Sequence, residues 1–170
     1  TGRISKSLTA SQKSVQLAPK DASAYYNLGN TLKELGRLGE AQISYKQAIA
    51  LKPDFAEAHY NLGTTLQELG KLDEAEASLR QATVLKADFA EAHSNLGATL
   101  QELGKLNEAE ASYRQLITLK PDFAGSYLNL GNTLKELGRL KEAEASYTQA
   151  LALKPDFVEA HYNLGNTLKE

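Results

Sequence analysis

Apolar residues recur along this chain at helical spacing, and they do so in pairs of segments. Between residues 56 and 69, His59, Leu62, Leu66 and Leu69 recur at i, i+3, i+7 and i+10, one stripe of an amphipathic helix. A second stripe follows at Leu72, Ala75, Leu79, Ala82 and Leu85. A Leu-Gly-Arg/Lys-Leu turn separates the two, so the unit is a helix hairpin. The pattern then returns whole. Asn-Leu-Gly stands at Asn27–Gly29, Asn61–Gly63, Asn95–Gly97, Asn129–Gly131 and Asn163–Gly165, always 34 residues apart. A fixed period of that length marks stacked supersecondary units whose contacts run mainly between sequence neighbours. Four full copies span 22–55, 56–89, 90–123 and 124–157. Residues 2–21 align with a second helix whose core positions are occupied by Ser7, Ser11 and Ser14, and residues 158–170 are a first helix alone. The expectation is an all-α chain of ten helices.

Local signals agree with these limits. Gly36, Gly70, Gly104 and Gly138 follow the first helix, where a left-handed closing residue favours glycine. Asp54/Glu57, Asp88/Glu91 and Asp156/Glu159 have the spacing of capping boxes, as do Asp73/Glu76 and Asn107/Glu110 for the second helix. Pro53, Pro121 and Pro155 end the preceding helix, with Lys52, Lys86, Lys120 and Lys154 expected in its last turn. Gly29, Gly63, Gly97 and Gly131 sit mid-helix, where glycine costs about 1 kcal/mol against alanine. Close approach of the partner helix, through Ala41, Ala75, Ala109 and Ala143, is the expected return.

Composition narrows the function classes. The net charge is −2 and the pI about 6.0, so no basic footprint points to nucleic acid. No apolar run approaches the roughly 20 residues of a membrane helix. There are no cysteines, which excludes disulfide and thiolate chemistry and leaves the compartment undetermined. The absence of methionine and the opening at Thr1 in mid-pattern point to a fragment of a longer protein.

Leu28, Gly29, Leu32, Ala41, Tyr45, Ala48 and Pro53, with their equivalents in the other copies, resemble the tetratricopeptide repeat family over nearly the whole chain. The slot where that family often has tryptophan holds Tyr25, His59, His93, Tyr127 and His161. Leu79 replaces an aromatic, Ala87 a proline, and Leu116 a small residue, which should strain its local packing. The resemblance implies a right-handed superhelical solenoid of antiparallel hairpins, with the first helices lining a concave groove. It also implies a scaffold that binds a protein partner, as an extended peptide or a helix. Similar arrays occur in bacteria, notably cyanobacteria, joined to glycosyltransferase or sulfotransferase domains. There such a chain would be a non-catalytic arm that recruits substrate.

On the first helices, a polar face avoids the core. Its ladder is Asn27, Asn61, Asn95, Asn129 and Asn163, flanked by Tyr26 and Tyr60, with Asn30, Thr64 and Asn132 one turn on and Lys33, Gln67, Gln101 and Lys135 beyond them. A comparable ladder lines the repeat arm of the O-linked N-acetylglucosamine transferases. An asparagine offers a donor and an acceptor together and so pairs with a peptide amide whatever its side chain. The alternative role is a fixed hydrogen bond between repeats, and five identical copies leave both open. The lysines and arginines of the family's carboxylate clamp are missing, which disfavours chaperone tails as ligands.

Nothing in the chain has the arrangement of a catalytic or metal site, and no cofactor is expected. The three histidines fall at equivalent positions of different repeats, too far apart to share one ion. Asn-Leu-Gly lies inside a helix and lacks the lysine and threonine or serine of a phosphate loop. The last helix leaves Tyr162, Leu164 and Leu168 uncovered, which predicts weak end-to-end self-association at high concentration.

Overall fold

The computed structural model describes the backbone of residues 2–169 and the side chains of residues 7–169. Glu170, the expected end of the last half-repeat, lies outside them. Among the described residues there are ten α-helices and no strand: α1 (Gly2–Leu17), α2 (Ala22–Glu34), α3 (Leu38–Leu51), α4 (Ala56–Glu68), α5 (Leu72–Leu85), α6 (Ala90–Glu102), α7 (Leu106–Leu119), α8 (Ala124–Glu136), α9 (Leu140–Leu153) and α10 (Val158–Thr167). The chain divides into two compact units, Thr1–Ala87 and Asp88–Glu170. In the first, α2 and α3 form one hairpin and α4 and α5 another, with α1 against α2 and α3 against α4. In the second, the hairpins are α6–α7 and α8–α9, with α7 against α8 and α9 against α10. Even-numbered helices are first helices of a repeat, odd-numbered ones second helices.

The turn inside each hairpin closes as its glycine requires. Gly70 has φ +71°, and its N–H donates to Gln67 O at 2.9 Å while Lys71 N–H reaches back to Leu66 O at 2.9 Å. That pair of bonds is the Schellman closure, which satisfies two carbonyls the helix end would leave free. The other three hairpins close the same way. The predicted capping boxes, by contrast, do not form. The turn after Pro53 runs one residue further than expected, so Phe55, Phe89, Phe123 and Phe157 stand at the N-cap and no side chain caps those helices. The second helices start after Arg37, Lys71, Lys105 and Arg139, which places Asp73 and Asn107 inside the first turn. Asp21, one repeat before Phe55 in register, does cap, with Oδ1 accepting from Ser23 N–H at 2.9 Å. Lys52, Lys86, Lys120 and Lys154 stand at the C-cap, one residue past the last turn.

The mid-helix glycines permit the close approach, chiefly to a larger side chain one turn beyond the alanine, with the Ala75 backbone oxygen also 3.3 Å from a Cβ on Gly63. A Cβ on Gly29 would lie 2.6 Å from the Tyr45 ring, on Gly63 2.6 Å from Leu79, on Gly97 2.7 Å from Tyr113 and on Gly131 2.5 Å from Tyr147. Each glycine is the seat of one large side chain that is at most 1% exposed. Ala41, Ala75, Ala109 and Ala143 are fully buried one turn earlier. Leu116, expected to strain its site, is 2% exposed inside an unbroken α7. In the first unit Leu32, Ala41, Tyr45, Leu62, Leu66 and Ala75 form one core, with Leu8, Tyr26, Leu28 and Ile49 against it.

In three repeats the residue in the tryptophan slot ties the first helix to the loop before it. His59 Nε2 is 3.0 Å from Pro53 O, His161 Nε2 2.8 Å from Pro155 O, and Tyr127 OH donates to Pro121 O at 3.0 Å. Ring and phenol are interchangeable there because each places a polar atom on the carbonyl six residues back. An ionic cluster lies on the surface of the second unit. Glu110 accepts from Arg114 at 2.8 Å and from Arg139, and Arg139 also holds Glu142 at 2.7 Å. Burial pushes the Glu110 carboxyl up, but the two guanidiniums outweigh it and hold the group below its ordinary value.

Candidate functional site

The polar face of the first helices forms an open depression in each unit. In the first, Asn30, Lys33, Glu34, Tyr45, Asn61 and Glu68 line about 400 Å³. In the second, Gln101, Asn132, Lys135, Glu136, Tyr147 and Asn163 line a depression of the same volume. Five of the six positions match three repeats apart, so the two are copies of one arrangement.

Its centre is a side-chain carbonyl shared by two donors. Asn30 Oδ1 accepts from Tyr45 OH at 2.8 Å and from Asn61 Nδ2 at 2.9 Å. Asn132 Oδ1 accepts from Tyr147 OH at 2.9 Å and from Asn163 Nδ2 at 2.8 Å. One asparagine therefore joins its own hairpin partner to the next repeat. Asn61 Nδ2 also lies 3.2 Å from Tyr26 OH. Above all burial, and then the charges of Tyr26, Glu34 and Glu68, hold the Tyr45 phenol far above its ordinary value, so it stays a donor.

The ladder thus divides. Asn61 and Asn163 carry bonds between repeats. Asn27 is exposed, and the side-chain amide of Asn129 makes no hydrogen bond to a described residue. Asn95 is half-buried on α6 and has a partner of its own. Around the ladder, Tyr26 stands against the wall, its ring 4.9 Å from that of Phe55 and 6.1 Å from that of Tyr45. Tyr60 is half-buried, and Leu128 in the equivalent place is buried. Lys33 Nζ reaches the next repeat, at 2.7 Å from Thr64 Oγ1 and 3.0 Å from Glu68. Gln101 Nε2 donates to Glu136, and Thr133 Oγ1 lies 3.4 Å from Gln101 Oε1. Gln67 and Lys135 are half-buried on the same face. The tyrosine–asparagine bond is a feature that the residue pattern does not announce. Its signal is Gly-Asn-Thr-Leu-Lys at 29–33 and 131–135, where the other two full repeats have Gly-Thr-Thr-Leu-Gln and Gly-Ala-Thr-Leu-Gln.

A further depression of about 480 Å³ lies between α7, α8 and α9, lined by Arg114, Ile117, Tyr127 and Leu130 among others. Among the described residues no group of three or more His, Asp or Glu side chains is arranged to hold a metal ion. No described helix is long and apolar enough to cross a membrane.

The TPR repeat model matches residues 29–70, 65–104, 100–138 and 131–170, and a tetratricopeptide repeat model matches residues 10–43. The chain belongs to the tetratricopeptide repeat family. Its all-α hairpins are those of a tetratricopeptide solenoid, a scaffold for protein–protein interaction and a fold that is typically non-catalytic. Among solved structures, MamA is similar at 26% identity and a TM-score of 0.87, over 91% of this chain and 90% of that one. YrrB, a TPR protein with an unusual peptide-binding site, is similar at 25% identity and 0.86, over 95% of this chain and 83% of that one. TTC0263, a thermophilic TPR protein of Thermus thermophilus, is 26% identical with a TM-score of 0.66, over 99% of this chain and 92% of that one. No curated protein matches the tetratricopeptide chain significantly.

Proposed function

We propose that the first-helix face of this tetratricopeptide protein binds an extended peptide segment of a protein partner. The observation that carries the reading is the pair of equivalent open depressions, each offering amide, ammonium and carboxylate groups within one repeat step. Such a mixture suits a peptide backbone, which presents a donor and an acceptor at each residue. The openness suits an extended chain better than an enclosed small molecule. The similarity to YrrB supports the same reading. Binding is modest for any single peptide, because ordering the chain offsets part of the contact energy.

A peptide-library screen tests it, run on the wild type and on a variant carrying Glu34→Ala and Lys135→Ala, one lining residue from each depression. Peptides retained by the wild type and lost by the variant support the reading. A library from which neither protein retains a peptide, or whose peptides bind both equally, argues against it.

A further inference from the structure

In two hairpins the tyrosine seated on the mid-helix glycine and the ladder asparagine of the next repeat converge on one carbonyl, that of Asn30 or Asn132. The repeat of 90–123 keeps both donors and lacks the acceptor. Tyr113 is the counterpart of Tyr45, seated on Gly97, and Asn129 is the counterpart of Asn61, whereas the position of Asn30 is occupied by Ala98. Among the described residues neither the Tyr113 hydroxyl nor the Asn129 side-chain amide has a hydrogen-bond partner. Tyr113 is 1% exposed, and no polar atom of a described side chain is both fully buried and unpaired, so its hydroxyl meets the surface where the missing carboxamide would stand.

We infer that Ala98, Tyr113 and Asn129 form a subsite for a ligand amide, whose carbonyl oxygen takes the place of the asparagine oxygen and accepts from Tyr113 OH and Asn129 Nδ2. The inference rests on the peptide-binding reading and names one of its contacts. Burial above all, and then the nearby carboxylates of Glu136 and Glu102, push the Tyr113 phenol up to about 12, and those carboxylates select a neutral amide over a carboxylate. Neither donor has a protein partner, so one acceptor delivered there gains two hydrogen bonds without breaking any within the protein. The repeat of 56–89 offers no second copy, because Leu79 stands where the tyrosine would be.

The test is an NMR titration of the nitrogen-15-labelled protein with N-methylacetamide and, separately, with propionamide, following the side-chain amide of Asn129. The expected result is a saturable shift of that signal in the wild type, at least tenfold weaker in Ala98→Asn and in Tyr113→Phe. Ala98→Asn rebuilds the arrangement already present at Asn30 and Asn132, so the folded spectrum is retained. A stronger response to N-methylacetamide assigns the subsite to a backbone carbonyl, and a stronger response to propionamide to an asparagine or glutamine side chain. An unshifted Asn129, or an equal shift in Ala98→Asn, overturns the inference. Library peptides that bind the wild type and Ala98→Asn equally overturn this subsite while leaving the groove itself in place.

Discussion

Replacing Gly131 by alanine isolates what holds a hairpin together. The added Cβ would lie 2.5, 2.7 and 3.0 Å from three atoms of the Tyr147 ring, and that residue is fully buried. Overpacking of this kind costs about 1–3 kcal/mol. Displacing the ring also lengthens the 2.9 Å bond from Tyr147 OH to Asn132, a further loss of about 1 kcal/mol. Against this, alanine is favoured over glycine in a helix by about 1 kcal/mol. The balance is a destabilisation of about 2 kcal/mol. Gly165 is the internal control, since it occupies the same register on α10 and a Cβ there meets nothing within 4 Å. Gly165→Ala should therefore be neutral or stabilising by up to about 1 kcal/mol. Urea unfolding followed by far-ultraviolet circular dichroism measures both. A Gly131→Ala protein as stable as the wild type would mean that the tyrosine seated there does not require glycine.

Three other outcomes follow from the same contacts. Asn30→Ala removes the acceptor shared by Tyr45 and Asn61 and should lower stability by about 1–2 kcal/mol, whereas Asn129→Ala, which breaks no hydrogen bond to a described side chain, should leave the unfolding midpoint unchanged; equal effects would contradict the division of the ladder. The Glu110 carboxyl is held below its ordinary value, so its contribution is complete above the unfolded carboxylate pKa and is lost as pH falls through the folded one. Glu110→Gln should thus be less stable than wild type at about pH 7, with the gap closing as pH falls through the folded-state pKa, and a gap that does not narrow in acid would count against the Arg114–Glu110–Arg139 cluster. Finally, α10 leaves Tyr162 69% and Leu168 62% exposed, and we expect sedimentation velocity to show concentration-dependent association that Tyr162→Lys suppresses; a monomer at all concentrations would remove that proposal.

The hairpins and their turns were legible because period, apolar spacing and glycine conformation act locally and repeat four times over. The caps were not, because Pro-Asp-Phe spends one more residue in the turn than a capping box allows, and only Asp21 falls at the N-cap. The residue seated on each glycine was also hidden. Alanine one turn away satisfies the same size argument, and only the packed hairpin reveals that Tyr45, Leu79, Tyr113 and Tyr147 fill the space. The ladder asparagines look alike in the sequence because their difference lies elsewhere, in whether residue 30, 98 or 132 supplies a carbonyl. That difference is visible once the three positions are compared, but its meaning comes from bond geometry.

NMR shift mapping with a peptide from the library screen shows whether the first-helix face receives it. Binding on that face concentrates the shifts on Asn27, Lys33, Asn129 and Lys135. Shifts centred on Ile117, Tyr127 and Leu130, in the depression between α7, α8 and α9, would contradict it.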